Sequence, residues 1–529
     1  MNRRTLAFVV AALGCAAISL AATPADLEKP SKKPVAKKKA SPKTKRYRSS
    51  GGGPSTKTAK GTSGTARSTK ASGTKTSVAK DPRSSGSGIR YTVASIRRKV
   101  IPKGPSVSLR TRQEAHEGVF EKVASAASLP IENAAALVPF FEQLYRHQQG
   151  ELTGPLTVLH YGDSHTAADE WTGDLRAHFQ EKFGDGGSGY SYAGRPWNGY
   201  RREDLRSGST RGWHTDGLVG RAGDGLYGLG GVSMSTSAPH EAAYLLTEGQ
   251  RFELFYLQQP GGGSVQIYDN GSPVERISTA GDAAPGYYRY EAEAGMHRLE
   301  VETLDRAPVR LFGWVAEKAT GLTYETLGIN GAQASMILDW NEPVLRSNIE
   351  RRNPALIVLA YGTNEAGRKE WTLPSYRDMF SQLIQRLRNA APTATILVVG
   401  PPDRYIHTRK GWLTMENVDM IVEAQKQAAA ANGCAFWDWR AKMGGKGSMQ
   451  QWVVAGMAQF DHVHFTGPGY RMIGDGLFRD LMGQYDLFLK ARTVAAAGAG
   501  EGAGVTAANP PDVPLETPSD VSSGTQGSR

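Results

Sequence analysis

Residues 156–166 read Leu-Thr-Val-Leu-His-Tyr-Gly-Asp-Ser-His-Thr. Leu156 to Tyr161 is a short apolar run with β-branched residues, the pattern of a buried strand. Gly162-Asp163-Ser164 reads as a sharp turn, because Gly and Asp tolerate turn angles. Beyond it, Trp171, Leu175, Phe179 and Phe183 recur at helical spacing, so a helix is predicted over 167–183. A strand entering a helix through this turn sets the Ser164 hydroxyl at the carboxyl end of the strand, the edge where open α/β sheets bind ligands. The nearby helix N-terminus offers free N–H groups to a developing negative charge. Capping the helix is the ordinary alternative role for Ser164. A nucleophile also needs a base and a group that orients it.

The strand–helix alternation resumes after Leu322. Thr326-Leu327-Gly328-Ile329-Asn330-Gly331-Ala332 reads as a strand end followed by a Gly turn. Residues 355–361 are nearly continuously apolar, as in a central parallel strand, and end in Gly362-Thr363-Asn364-Glu365. Asn364, just past that strand, suits either an amide donor to an oxyanion or an Asx-turn. A helix is predicted over 374–390, a strand over 394–399, a helix over 415–432 and a strand over 435–439. The chain then reaches Phe460-Asp461-His462-Val463-His464. Three residues apart on a turn, Asp461 can hold one imidazole nitrogen of His464 and leave the other facing outward; a surface cap and a structural His are the alternative. A last helix runs from Pro468 to about Lys490. Upstream, two apolar stripes between 111 and 150 predict helices that pack on the sheet.

Between these parts the pattern differs. Residues 184–233 are loop-like and rich in Gly, Arg and aromatics, with no Gly-x-x-x-x-Gly-Lys-Ser/Thr phosphate loop. Trp197, Tyr200 and Trp213 suit loop packing or a sugar-binding surface. From Thr236 to Lys318, short strands separated by Gly, Asp, Asn and Pro predict an antiparallel β-sandwich, with Tyr287, Tyr288 and Tyr290 as candidate stacking platforms.

The ends carry other information. Arg3 and Arg4 precede an apolar run to Leu20 and then Ala21-Ala22, the pattern of a secretory signal. That places the protein outside the cytoplasm, periplasmic or extracellular, with no transmembrane span once the signal is cleaved. Residues 23–103 hold 22 Lys and Arg against 3 Asp and Glu and almost no apolar residues before Ile89, so they cannot bury enough surface to fold. The whole chain is +12, so the body beyond this segment is mildly acidic. The polycation suits an anionic envelope polymer or membrane surface, or a solvated spacer; without interleaved aromatics it does not suggest nucleic acid. Of two cysteines, Cys15 leaves with the signal and Cys434 remains alone. No metal-binding cluster of Cys or His is spelled out.

Gly162-Asp163-Ser164-His165, Gly331 in Leu-Gly-Ile-Asn-Gly, Gly362-Thr363-Asn364-Glu365 and Asp461-His462-Val463-His464 resemble, in order, the four blocks of the SGNH/GDSL hydrolases. The position of the β-rich insert and the signal resemble bacterial peptidoglycan O-acetylesterases within them; the Lys-rich segment is not part of that pattern. The resemblance implies a three-layer α/β/α sandwich with a parallel sheet, interrupted by the β insert. It implies Ser164 as nucleophile, His464 as base, Asp461 as orienting carboxylate, and an oxyanion hole of Ser164 N–H, Gly331 N–H and the Asn364 amide. No cofactor and no metal is implied. The expected organisation is a signal over 1–22, a basic linker over 23–110, a hydrolase domain over 111–235 and 319–492, an insert over 236–318, and a disordered tail over 493–529. The expected activity is removal of O-acetyl groups from a cell-envelope polysaccharide. A related lipase, thioesterase or acetyltransferase, and a non-catalytic envelope-binding protein, are the alternatives.

Overall fold

The computed structural model describes residues 106–125, 131–221 and 223–501. The signal over 1–22, all but the end of the basic linker, and the tail past 501 lie outside the described residues.

Five strands form a wholly parallel sheet: β1 (Leu156–Gly162), β2 (Leu322–Gly328), β3 (Leu356–Ala360), β4 (Thr395–Val399) and β5 (Ala435–Trp437). Their order is β2-β1-β3-β4-β5. Because side chains alternate along a strand, each strand feeds two cores. Leu156 and Val158 of β1, Val358 of β3 and Val399 of β4 join Phe140, Trp171, Phe179 and Leu477 on one face. Leu159 and Tyr161, Leu359 and Val398 join Ile349, Leu383, Ile384 and Ala424 on the other. The first set of helices is Leu109–Ser125, Val138–Gln148, Glu170–Phe183 and Gly467–Glu501; the second is Glu342–Arg352, Leu373–Ala390 and Asn417–Ala431. The result is the three-layer α/β/α arrangement. From β1 the chain goes to β2 on one side and then returns to β3 on the other, so a crevice opens at the carboxyl ends of β1 and β3. Ser164 follows β1 and Asn364 follows β3.

The final helix runs past the expected end near residue 490 to Glu501. The Ala-rich stretch after Thr493 has high helix propensity, which a reading for polar or flexible composition underrates.

The segment between β1 and β2 carries a separate antiparallel sheet of nine strands, from Gly189–Ser191 to Val309–Glu317. It is one continuous hydrogen-bonded sheet rather than two. Its strands Ala242–Gln258 and Ala284–Thr303 are 17 and 20 residues long and take different neighbours along their length. Four of its strands come from residues 189–236, ahead of the expected start at 236. They read Gly-Tyr-Ser, Arg-Ser-Gly-Ser, His-Thr-Asp and Ser-Met-Ser-Thr, too short to show an alternation, and pairing with one another, with Ala242–Gln258 and with Val309–Glu317 forms them. Leu245, Leu254, Val265, Ile267, Leu299 and Trp314 make the sheet's own core. Tyr190, Leu229, Phe255 and Phe312 instead join the core around Tyr161 and Leu327 of the parallel sheet. Buried Arg352 pairs with Glu317 on the antiparallel side and Glu325 of β2 on the other.

Candidate active site

The Gly162-Asp163-Ser164 turn opens a short helix, Ser164–Ala167. Its cap is Asp163, whose carboxylate accepts the His165 N–H at 2.9 Å. With the capping position filled, the Ser164 hydroxyl is available elsewhere. Asp169, at φ 56°, then breaks the run, so the expected 167–183 helix is a short turn followed by Glu170–Phe183. A Cβ on Gly328 would lie 2.1 Å from the Ala167 nitrogen, so glycine at the end of β2 is what lets this turn seat against the sheet.

Ser164 Oγ lies 2.9 Å from His464 Nε2, and His464 Nδ1 lies 2.8 Å from Asp461 Oδ2. The second oxygen of Asp461 accepts the N–H groups of Val463 and His464, both at 2.9 Å. Burial pushes the Asp461 carboxyl up, but the bonds from the His464 ring and these backbone groups outweigh it and hold it at about 2. An ionised Asp461 fixes the proton of His464 on Nδ1 and turns the Nε2 lone pair toward Ser164. The loop gets its shape at His462, whose φ is 57°.

Gly331 and Asn364 stand at the neighbouring strand ends. Gly331 adopts φ 78°, which disfavours other residues. The Asn364 amide donates one N–H to the Ala332 carbonyl at 2.9 Å, leaving its second N–H for another acceptor. A cleft of about 690 Å³ starts at Gly331 and is lined further by Leu218, Val219, Tyr227, Met336, Trp340 and Arg368.

Several supporting groups carry no pattern in the sequence. His165 is buried behind His464, ring centroids 5.3 Å apart, with Nδ1 2.9 Å from the Tyr470 hydroxyl; burial and the nearby His464 hold its pKa well below the usual histidine value, so it stays neutral. Glu365 is buried and bonds the N–H groups of Ala334 and Gly362. Arg176, Asp169 and Thr326 form a buried cluster under the Ser164 turn. His165, Thr326 and Glu365 stood in the stretches quoted above, without a role.

The aromatic candidates have contacts of their own within the protein. Trp197 and Tyr200 pack with Tyr192 in the core, centroids 5.1–5.4 Å apart. The Trp213 indole donates to the Ala242 carbonyl. Tyr287 is held by Asn348 and Arg351, and Tyr290 lies against Phe252. Among the described residues no three His, Cys, Asp or Glu converge as a metal site.

Residues 292–472 match the GDSL-like Lipase/Acylhydrolase family; the match takes in Gly331, Asn364, Asp461 and His464 but starts after Ser164. Among solved structures, the chain is similar to one titled "Peptidoglycan O-acetylesterase in action, 5 min", at 25% identity and TM-score 0.56, covering 67% of this chain and 96% of that one. A family two carbohydrate esterase from Cellvibrio japonicus aligns at 11% identity and TM-score 0.24, over 57% and 98% of the two chains. A lipase/acylhydrolase from Enterococcus faecalis aligns at 19% and 0.24, over 32% and 77%. No match was found among curated proteins. The parallel sheet with its helices, the family match over residues 292–472 and the first of these likenesses fit a carboxylic ester hydrolase of SGNH/GDSL type.

Proposed function

We propose that this protein is an exported serine esterase that removes O-acetyl groups from a cell-envelope glycan, peptidoglycan in the first place. The continuous Ser164–His464–Asp461 hydrogen-bond chain supports the mechanism most directly. His464 Nε2 takes the Ser164 proton as Oγ attacks the acetyl carbonyl. The tetrahedral oxyanion is received by the N–H groups of Ser164 and Gly331 and the free Asn364 amide N–H. His464 then returns the proton to the sugar oxygen as it leaves, and water discharges the acetyl-enzyme by the same steps.

The substrate reading draws on the peptidoglycan O-acetylesterase likeness, nearly all of whose chain is covered. The cleft beginning at Gly331 is roomy enough for a sugar beside the reacting carbonyl. Export rests on the N-terminal sequence, and the basic segment would hold the enzyme to anionic envelope polymer. No described helix is long and apolar enough to cross a membrane. Acetate release from O-acetylated peptidoglycan, compared with acetylated xylan and an aryl acetate, tests the assignment. Fastest release from peptidoglycan supports it; release from the aryl acetate or xylan alone rejects the substrate.

A further inference from the structure

A hairpin of strands Tyr405–Thr408 and Gly411–Thr414 leans on the loop that carries His464. The Tyr405 N–H donates to the His462 carbonyl at 3.0 Å, and the Trp412 ring stacks on His462 with centroids 4.1 Å apart. Arg404 is the residue at the hairpin's root. Its Nη1 donates to the carbonyl of Thr363, the neighbour of Asn364. The guanidinium therefore sits between the turn bearing the proposed oxyanion donor and the loop bearing the base.

Buried arginines elsewhere in this molecule are paired: Arg176 with Asp169, Arg202 with Asp204, Arg352 with Glu325, and Arg440 with Asp403. Among the described residues Arg404 is half-buried and has no carboxylate within ion-pair distance; the Thr363 carbonyl is its one hydrogen-bond acceptor, and its Nε is buried without any. Burial pulls its pKa below the ordinary arginine value, with Asp163 and Asp461 pulling the other way. Neither carboxylate bonds it: Asp163 accepts from His165, and Asp461 from Val463 and His464. A buried Nε without an acceptor is costly, and Nη2 has no acceptor among the described residues. The planar fork of the guanidinium matches a carboxylate.

Resting on the esterase reading of Ser164, we propose that Arg404 binds a carboxylate of the substrate, so that within a cell-wall glycan the enzyme selects acetyl esters on sugars whose carboxylate is free over neutral acetylated glycans and over sugars whose carboxyl is amide-linked to peptide. The acetate product carries the same group and is the competing source.

The test compares kcat/KM on an O-acetylated N-acetylmuramic acid and on its neutral carboxamide, for the wild type, Arg404→Gln and Arg404→Lys. The wild type should prefer the acid, and added salt should shrink that preference. In Arg404→Gln the acid-to-amide ratio should fall about tenfold or more, mainly through KM; Arg404→Lys should lie between. No preference in the wild type, or the same ratio in the wild type and Arg404→Gln, overturns the proposal. An unchanged ratio with weaker inhibition by acetate assigns Arg404 to the product and also overturns it. If Arg404→Gln does not fold, the wild-type preference and the Arg404→Lys ratio decide. A wild type that turns over neither sugar nor an aryl acetate refutes the esterase reading itself, which a missing preference alone does not.

Discussion

Glu365 Oε1 accepts the Ala334 N–H at 2.8 Å, while Oε2 of the same carboxylate accepts the Gly362 N–H at 3.2 Å. One buried side chain thus fastens the turn that carries Asn364 to the turn that carries Gly331. Burial pushes its pKa up to about 7, against the Ala334 N–H that bonds it. In the folded state Glu365 holds a proton that the unfolded chain releases near the ordinary glutamate value. Its contribution to stability is therefore full at acid pH and lost as pH rises to about 7. Relative to Glu365→Gln, which cannot titrate, the wild type should lose on the order of 3 kcal/mol between pH 4 and 8. Urea unfolding of both proteins across that range checks this; a difference that does not vary with pH contradicts it.

Asp461→Asn keeps the shape of the side chain but removes the charge that fixes the His464 tautomer. Turnover should fall by about 10³ to 10⁴ with little change in KM. Steady-state kinetics on an aryl acetate would show it, and a loss confined to KM would mean that Asp461 acts on binding instead.

Asn364→Ala removes the proposed oxyanion donor and the bond to Ala332. A fall in kcat of about 10² to 10³ is expected, with KM changed by no more than a few-fold. Retention of kcat would take Asn364 out of the oxyanion hole and leave it as a turn residue.

Gly328→Ala places a methyl group against backbone of Thr166 and Ala167, which cannot move without shifting the Ser164 turn. A destabilisation of about 1–3 kcal/mol should accompany lost activity. Thermal melting and kinetics on the same sample test the pairing; loss of neither would show that the turn has room to adjust.

The α/β frame was legible because its strands are buried on both faces. Runs such as Ala355-Leu-Ile-Val-Leu-Ala leave little other reading, and Gly-Asp-Ser, Gly-Thr-Asn-Glu and Asp-His-Val-His sit where strands end. The sequence did not reveal what depends on distant pairing. The Arg206–Ser209 strand exists because Ala243–Leu246 offers it an edge. Likewise, Arg404 looks like any polar residue after Pro401-Pro402-Asp403 until the fold brings Thr363 and His462 beside it. Capping was the alternative role for Ser164, and the backbone gives that position to Asp163.

The proposed mechanism requires that Ser164 becomes acylated. Rapid quenching during turnover of an aryl acetate, followed by mass spectrometry of the digested protein, detects that step. One acetyl group on the peptide containing Ser164, absent from the Ser164→Ala protein, is the expected result. Turnover by the Ser164→Ala protein at the wild-type rate, or an acetyl group carried by a different residue, would contradict it.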